Sequence, residues 1–88
     1  MKKEERRKVG KRIKDLLKDH QCSQADLARV VARHDGISFK AASVKVSRVI
    51  HGTFEADYDF WSCLYEMFEP NIGYLIAEKG EPYVKPFK

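Results

Sequence analysis

The chain has 88 residues, 43% hydrophobic and 34% charged, which is enough for one small domain with a modest core and too short for a second domain. No apolar stretch is long enough to span a bilayer, and the charged N-terminus lacks the apolar segment of a signal peptide, so we expect a cytoplasmic protein with no membrane partner. The two cysteines, Cys22 and Cys63, form no CxxC pair, which favours reduced thiols over a disulfide.

The formal net charge of +4 conceals a division of charge along the chain. Residues 1–52 carry 14 Lys or Arg and 6 Asp or Glu, a net +8, whereas residues 53–88 carry 3 and 7, a net −4. A basic half joined to an acidic half predicts a polyanionic partner on one side of the molecule. The alternative is that the basic side chains only solvate helix surfaces.

The first helix is predicted over about residues 4–19. The preceding stretch, residues 1–8, is mostly charged and forms either a basic N-terminal arm or an extension of this helix. The positions that keep a helical period on one face are Val9, Ile13, Leu16, Leu17 and His20.

The second helix is predicted to begin at Ser23. Ser23 is an N-cap residue, and Asp26 lies three positions later, where its side chain can complete a capping box. The sequence His-Asp-Gly at 34–36 ends the helix. Its inward side chains should be Leu27, Ala28 and Val31, whereas Arg29 and Arg33 point outward.

The third helix is predicted between Ser38, as its N-cap, and Gly52, which can adopt the left-handed conformation that closes a helix. Ile37 precedes it as an expected buried residue. The apolar stripe of the helix comprises Phe39, Ala42, Val46, Val49 and Ile50. The opposite side comprises Lys40, Val44, Ser47, Arg48 and His51.

Two further helices are predicted in the acidic half. Asp57 caps a fourth helix that runs to about Phe68, Pro70 stops it, and residues 71–79 form a short fifth helix. The expected core residues are Phe60, Trp61, Leu64, Met67 and Phe68 from the fourth helix, and Ile72, Leu75 and Ile76 from the fifth. No strand pattern competes, so the predicted fold class is all-α with five helices.

Two segments resemble the Cro/phage-repressor (Xre-like) helix-turn-helix family. Residues 23–28, Ser-Gln-Ala-Asp-Leu-Ala, are similar to the opening of that family's second helix, in which Ser caps the helix and Gln contacts the DNA backbone. Residues 46–52, Val-Ser-Arg-Val-Ile-His-Gly, resemble the end of its recognition helix. The resemblance covers roughly residues 9–78 and implies a five-helix, lambda-repressor-like DNA-binding domain over 9–80, with helix 3 in the major groove.

The chain departs from this family in two places. The family has about eleven residues from the alanine of Leu-Ala to the serine of Ser-Arg, whereas Ala28 to Ser47 spans nineteen, so we expect helices 2 and 3 each to be about one turn longer than usual. Ile50 stands where many members have Glu. Residues 46–52 are also similar to LacI-type headpieces, but the long basic helix 1 and the Ser-Gln pair favour the Cro/repressor family.

The resemblance places the polar side of helix 3 against DNA bases. Lys40, Val44 and Arg48 recur every four residues and form the expected base-facing line, because such groups donate to guanine or touch a thymine methyl. If Val44 instead turns inward, Ser43 and Ser47 lead the reading face. The predicted base-reading residues are Lys40, Ser43, Val44, Ser47 and Arg48.

Phosphate contacts come from side chains and from helix N-termini. Three of the candidates have structural alternatives: Ser23 as a cap alone, Arg33 as cover for the end of helix 2, and His51 as closure of helix 3. The predicted phosphate-binding residues are Ser23, Gln24, Arg12, Arg29, Arg33, Lys45 and His51.

We therefore expect a sequence-specific transcriptional regulator, a repressor, that binds a palindromic operator in double-stranded DNA as a homodimer. The apolar surface near the C-terminus, including the tail at 81–88, would supply the dimer contact. Its predicted residues are Tyr74, Leu75, Tyr83, Val84 and Phe87. The alternative is a protein-binding adaptor or antitoxin-like component with the same fold, which the acidic, aromatic C-terminal half favours.

Enzymatic and metal functions are disfavoured. The sequence has no nucleotide-binding loop, nucleophile elbow or paired-carboxylate motif, and apart from His20-x-Cys22 its His and Cys residues lack ligand spacing. We expect no catalytic residues, no metal and no cofactor. RNA is disfavoured as well, because the aromatic residues cluster outside the basic half.

Overall fold

The computed structural model describes residues 2–77, which fold into five α-helices. They are α1 (Lys3–Asp19), α2 (Gln24–Asp35), α3 (Phe39–Ile50), α4 (Tyr58–Phe68) and α5 (Ile72–Ala77). The all-α, five-helix prediction is confirmed over this range, and residues 3–8 extend α1. None of these five helices is both long and apolar enough to cross a membrane.

Local capping sets where three of the helices begin. The side chains of Ser23, Ser38 and Asp57 each accept a hydrogen bond from the backbone amide three residues later. The carboxylate of Asp26 accepts in turn from the Ser23 amide at 2.8 Å, which completes the predicted capping box. Gly36, with φ at +68°, ends α2 in the left-handed conformation.

One hydrophobic core joins the five helices. Helix α3 packs against α1 and α2, α2 also packs against α4, and α1 packs against α5. The buried hydrophobic side chains are Val9, Ile13, Leu16, Leu17, Leu27, Ala28, Val31, Ala42, Val46, Val49, Ile50, Phe60, Cys63, Leu64 and Leu75. The predicted inward faces of α2 and, from Ala42 onward, of α3 are therefore confirmed.

Two residues at the start of α3 were wrongly predicted to be buried. Phe39 is 47% exposed and Ile37 is 38% exposed. Phe39 is the first residue of α3, almost one turn before Ala42, the first residue of the helix that the core covers. Ile37 lies in the connection after Gly36, where its amide donates to the Ala32 carbonyl and its side chain remains at the surface.

Some apolar residues of the C-terminal half are less buried than predicted. Trp61, Met67, Phe68 and Ile72 are half-buried at the edge of the core, and Ile76 is 39% exposed. His20 was expected on the inward face of α1, but it follows the end of that helix and is exposed, with its ring 4.2 Å from the Phe68 ring.

The N-terminal helix passes very close to the end of α3. A Cβ atom at Gly10 would overlap the carbonyl oxygen of Ile50 and lie 2.9 Å from that of Val49. The Nε atom of Arg6 donates to the Gly52 carbonyl at 2.9 Å, and a Cβ at Gly52 would lie 2.8 Å from Cγ of Arg7. These contacts fix the C-terminal end of α3 against α1.

Candidate nucleic-acid interface

The side of α3 that faces away from the core carries the predicted base-facing line. Lys40, Val44 and Arg48 are all exposed, Val44 at 43%. Ser43 and Ser47, which flank this line, are half-buried. The alternative in which Val44 turns inward is excluded, because the buried stripe of the helix is formed by Ala42, Val46, Val49 and Ile50.

A shallow groove of about 630 Å³ lies along this side of the helix. We call it the α3 groove; its walls include Ile37, Ala41, Val44, Arg48 and Phe54. Ile37, Ala41 and Phe54 were not among the predicted site residues. The spacing of 37, 41, 44 and 48 is helical and could have revealed the first two. Phe54 fits no helical pattern; it comes from the loop after Gly52, which hydrogen bonds to the Arg48 carbonyl fold back toward the end of α3.

Arg48 is held at one end of the α3 groove by the loop that follows the helix. Its guanidinium carbon lies 4.9 Å from the centroid of the Phe54 ring, a cation–π contact. The amides of Thr53 and Phe54 both donate to the Arg48 carbonyl, at 2.9 and 3.2 Å. The loop therefore limits the positions that the Arg48 side chain can adopt.

The start of α2 lies beside a second arginine–aromatic contact. The guanidinium of Arg29 lies 5.7 Å from the centroid of the Phe39 ring and pairs with Asp26 at 2.8 Å. This ion pair is largely exposed, so it contributes little stability and Arg29 can exchange it for another anion. Ser23 uses both its amide and its hydroxyl oxygen in the capping box, which agrees with the alternative in which Ser23 only caps the helix.

The other predicted phosphate contacts on α2 lie at its two ends. Gln24, the first residue of the helix, is half-buried, and Arg33, in its last turn, is exposed. Asp26, which was not among the predicted site residues, places a carboxylate at the same N-terminus. Its pKa is lowered by hydrogen bonds from Ser23, so it is ionised at neutral pH.

Lys45 was predicted to contact phosphate, but its charge is used inside the protein. Its Nζ atom lies 2.9 Å from Oδ2 of Asp35 and 3.3 Å from Oδ2 of Asp57, and its side chain is 25% exposed. Partial burial lowers the pKa of Lys45, but the hydrogen bonds to the two carboxylates outweigh this and raise it overall. Lys45 therefore braces the middle of α3 against the end of α2 and the start of α4.

Asp35 has a second partner. Nδ1 of His34 lies 2.9 Å from its Oδ1 atom. The pKa of Asp35 is lowered by its hydrogen bond to His34 and, next, by its hydrogen bond to Lys45. The bond between His34 and Asp35 also raises the pKa of His34. These charged groups form a single network at the end of α2.

Arg12 and His51 also bind groups within the protein. Nη1 of Arg12 donates to the carbonyls of Leu75 and Ile76, both at 3.1 Å, and so closes the end of α5 in place of the phosphate contact predicted for it. Nδ1 of His51 lies 2.7 Å from the Ser47 carbonyl oxygen and 3.3 Å from the Ser47 hydroxyl. This geometry matches the structural alternative for His51, closure of α3.

The residues of the predicted dimer contact do not form one exposed apolar surface within the described part of the chain. Leu75 is 1% exposed and belongs to the core, so its side chain does not supply the apolar surface predicted for it. Tyr74 is half-buried, and Tyr83, Val84 and Phe87 lie outside the described residues. A different apolar surface is found on α4, where Tyr58 is 83% and Tyr65 is 49% exposed.

The thiols and the potential metal ligands are dispersed. Cys22 and Cys63 are both free, and burial raises the pKa of Cys63 to about 11, so this thiol is protonated at neutral pH. Within residues 2–77, no three His, Cys, Asp or Glu side chains come together in the manner of a metal site.

Comparisons of the chain with protein-family models, curated proteins and solved structures found no match. The α3 surface is thus the main basis for a functional hypothesis.

Proposed function

We propose that this protein is a sequence-specific DNA-binding regulator that uses α2 and α3 as a helix-turn-helix and reads the major groove with α3. It acts as a repressor by occupying a palindromic operator as a homodimer. The observation that carries the proposal is the exposed line of Lys40, Val44 and Arg48 on a helix whose opposite side is fixed in the core.

The charge of this segment suits a polyanion. Residues 36–54 contain Lys40, Lys45 and Arg48 and no Asp or Glu. Lys45 neutralises carboxylates at the ends of the neighbouring helices, so the line itself keeps the charges of Lys40 and Arg48. Basic side chains beside a helix that can enter the major groove give both general affinity and access to base edges.

The rigidity of α3 supports the same proposal. Gly10 lets α1 lie against the end of the helix, and Lys45 braces its middle. Base readout depends on the register of a helix in the groove, and a fixed helix loses little conformational freedom on binding. Gln24 at the start of α2, with Arg29 and Arg33, would hold the DNA backbone and set that register.

The test is selection of the protein on a library of random duplexes, followed by affinity measurements over a salt series. We expect enrichment of a palindromic sequence whose affinity falls with salt yet stays well above that of random duplex. Enrichment of no sequence would contradict specific binding. A protein that remains monomeric in sedimentation, with and without the selected duplex, would contradict the homodimer.

Two substitutions test the orientation of the motif. Arg48→Ala should relax the base preference at one position of the selected sequence, whereas Gln24→Ala should weaken binding to all sequences alike. Asp59→Asn, at an exposed site of α4 outside both apolar surfaces, is the control and should neither relax a base preference nor weaken binding. The reverse pattern for Arg48 and Gln24 would mean that α3 does not read the bases.

A second candidate function is a protein-binding adaptor or antitoxin-like component. The observation that favours it is the aromatic surface of α4, where Tyr58 and Tyr65 lie beside Trp61 and Ile72 around a shallow pocket of about 590 Å³. Aromatic side chains are enriched in protein interfaces. In a promoter-reporter assay, this candidate predicts that Tyr58→Ser with Tyr65→Ser abolishes the effect of the protein, whereas Arg48→Ala does not.

A further inference from the structure

We propose that the α3 groove recognises the 5-methyl groups of thymine, so that the protein selects its DNA through apolar contact as well as through hydrogen bonds. This inference rests on the proposed function. It extends that function by naming the chemical group that the centre of the groove binds, and by adding Ile37, Ala41 and Phe54 to the reading surface.

The first argument is the position of the exposed apolar side chains. Seven large hydrophobic residues are exposed within residues 2–77, and four of them lie on α3 or beside its ends: Ile37, Phe39, Val44 and Phe54. Ile37, Val44 and Phe54 are 38%, 43% and 46% exposed and line the same groove, with the exposed Ala41 among them. An apolar cluster of this kind, on a segment (36–54) that carries basic and no acidic side chains, indicates a ligand that is both anionic and partly apolar.

The second argument concerns the polar groups near Val44. Thr53, Glu55 and Asp57 also line the groove, and the Asp57 carboxylate is bound to Lys45 and to the Phe60 amide. The Ser47 hydroxyl lies 3.3 Å from His51, and Lys45 is bound by two carboxylates. The cationic groups of Lys40 and Arg48 lie toward the two ends of α3, on either side of Val44. The centre of the reading line is therefore apolar, and its ends are cationic.

The chemistry of the major groove matches this arrangement. The thymine methyl is the apolar group that base pairs present there, whereas the other distinguishing groups donate or accept hydrogen bonds. Valine, alanine and phenylalanine side chains offer such a methyl an apolar contact, and basic groups at both ends can bind phosphate or guanine. The groove thus suits a thymine-containing sequence with guanines or phosphates beside it.

The experiment replaces each thymine of the selected duplex, one position at a time, by deoxyuridine, which pairs identically and lacks the methyl group. We expect affinity to fall about fourfold at one or more positions, the effect of leaving one methyl group in water. Val44→Ala should remove the difference between thymine and uracil at one of those positions. Because Val44 is partly exposed and outside the core, circular dichroism should show this variant folded.

Two comparisons sharpen the test. Phe54→Ala should reduce the thymine dependence at a different position or at the same one, whereas Asp59→Asn, at an exposed site of α4 outside the α3 groove, should leave it unchanged at every position. Specific binding that is insensitive to uracil at every position would overturn this inference while leaving the proposed function intact. Thymine dependence that survives both Val44→Ala and Phe54→Ala would also overturn it, because another surface would then contact the methyl groups. Failure to select any duplex would instead overturn the proposed function, and the inference with it.

Discussion

Gly10 of α1 lies directly against the backbone carbonyl of Ile50, the last residue of α3. Gly10→Ala would place a Cβ atom on that oxygen and 2.9 Å from the Val49 carbonyl, and backbone atoms cannot move aside as a flexible side chain can. The two helices must therefore separate. We expect a loss of about 3 kcal/mol in the free energy of unfolding, measured by urea denaturation.

Gly36→Ala is the matched control for this substitution. No atom lies within 4 Å of a Cβ built at Gly36, so its cost is the left-handed backbone alone, about 1 to 2 kcal/mol. Equal losses for the two variants would mean that the crossing of α1 and α3 is less tight than described.

Lys45→Met removes the brace between α2, α3 and α4. The carboxylates of Asp35 and Asp57 both lose their cationic partner, and we expect the protein to lose about 2 kcal/mol of stability in urea denaturation. Lys40→Met, an exposed lysine on the same helix, should change stability by less than about 0.5 kcal/mol. Similar effects of the two substitutions would contradict the structural role of Lys45.

Substitutions of Arg12 and Arg33 should have different effects, the first on the stability of the fold and the second on DNA binding. Arg12→Ala removes the two hydrogen bonds that close α5, so we expect a loss of about 2 kcal/mol in urea denaturation and an unchanged dependence of DNA affinity on salt. Arg33→Ala, at an exposed site of α2, should leave stability nearly unchanged and reduce the salt slope by about 0.9, the contribution of one phosphate contact. A reduced slope for Arg12→Ala would restore Arg12 as a phosphate contact.

The pKa of His34 should lie above 6.5, because its ring bonds to Asp35. A raised pKa means that the protonated ring stabilises the fold at pH values below 6.5, and that this contribution is lost as the pH rises through the folded-state pKa. An NMR titration of the ring from about pH 5 to about pH 9 measures it directly. Asp35→Asn should move the midpoint back toward 6.5, and a midpoint below 6.5 in the unmodified protein would contradict the contact.

The helix boundaries could be predicted from the sequence because they depend on local chemistry. Ser23, Ser38 and Asp57 cap amides three residues away, and Gly36 needs no tertiary contact to adopt a left-handed backbone. The helical period likewise placed Val44 outward and the later apolar residues of α3 inward. These features depend on residues within about one turn of one another.

Burial at the ends of the helices could not be predicted in this way. Phe39 and Ile37 fit an apolar pattern but are exposed, because the core begins to cover α3 at Ala42. Leu75 was assigned to both the core and a dimer surface, and the contact of α5 with α1 placed it in the core. Periodicity identifies a face, whereas burial depends on how far the neighbouring helices extend over it.

The sequence by itself determined five helices, their caps and a basic α3 with one exposed line of side chains. The tertiary structure decided which basic side chains of residues 1–52 remain available on the surface. Arg12 binds carbonyls 63 and 64 residues away, and Lys45 binds carboxylates from two other elements of the fold. The physical reason is that such partners depend on distances between helices, which a local pattern of residues does not encode.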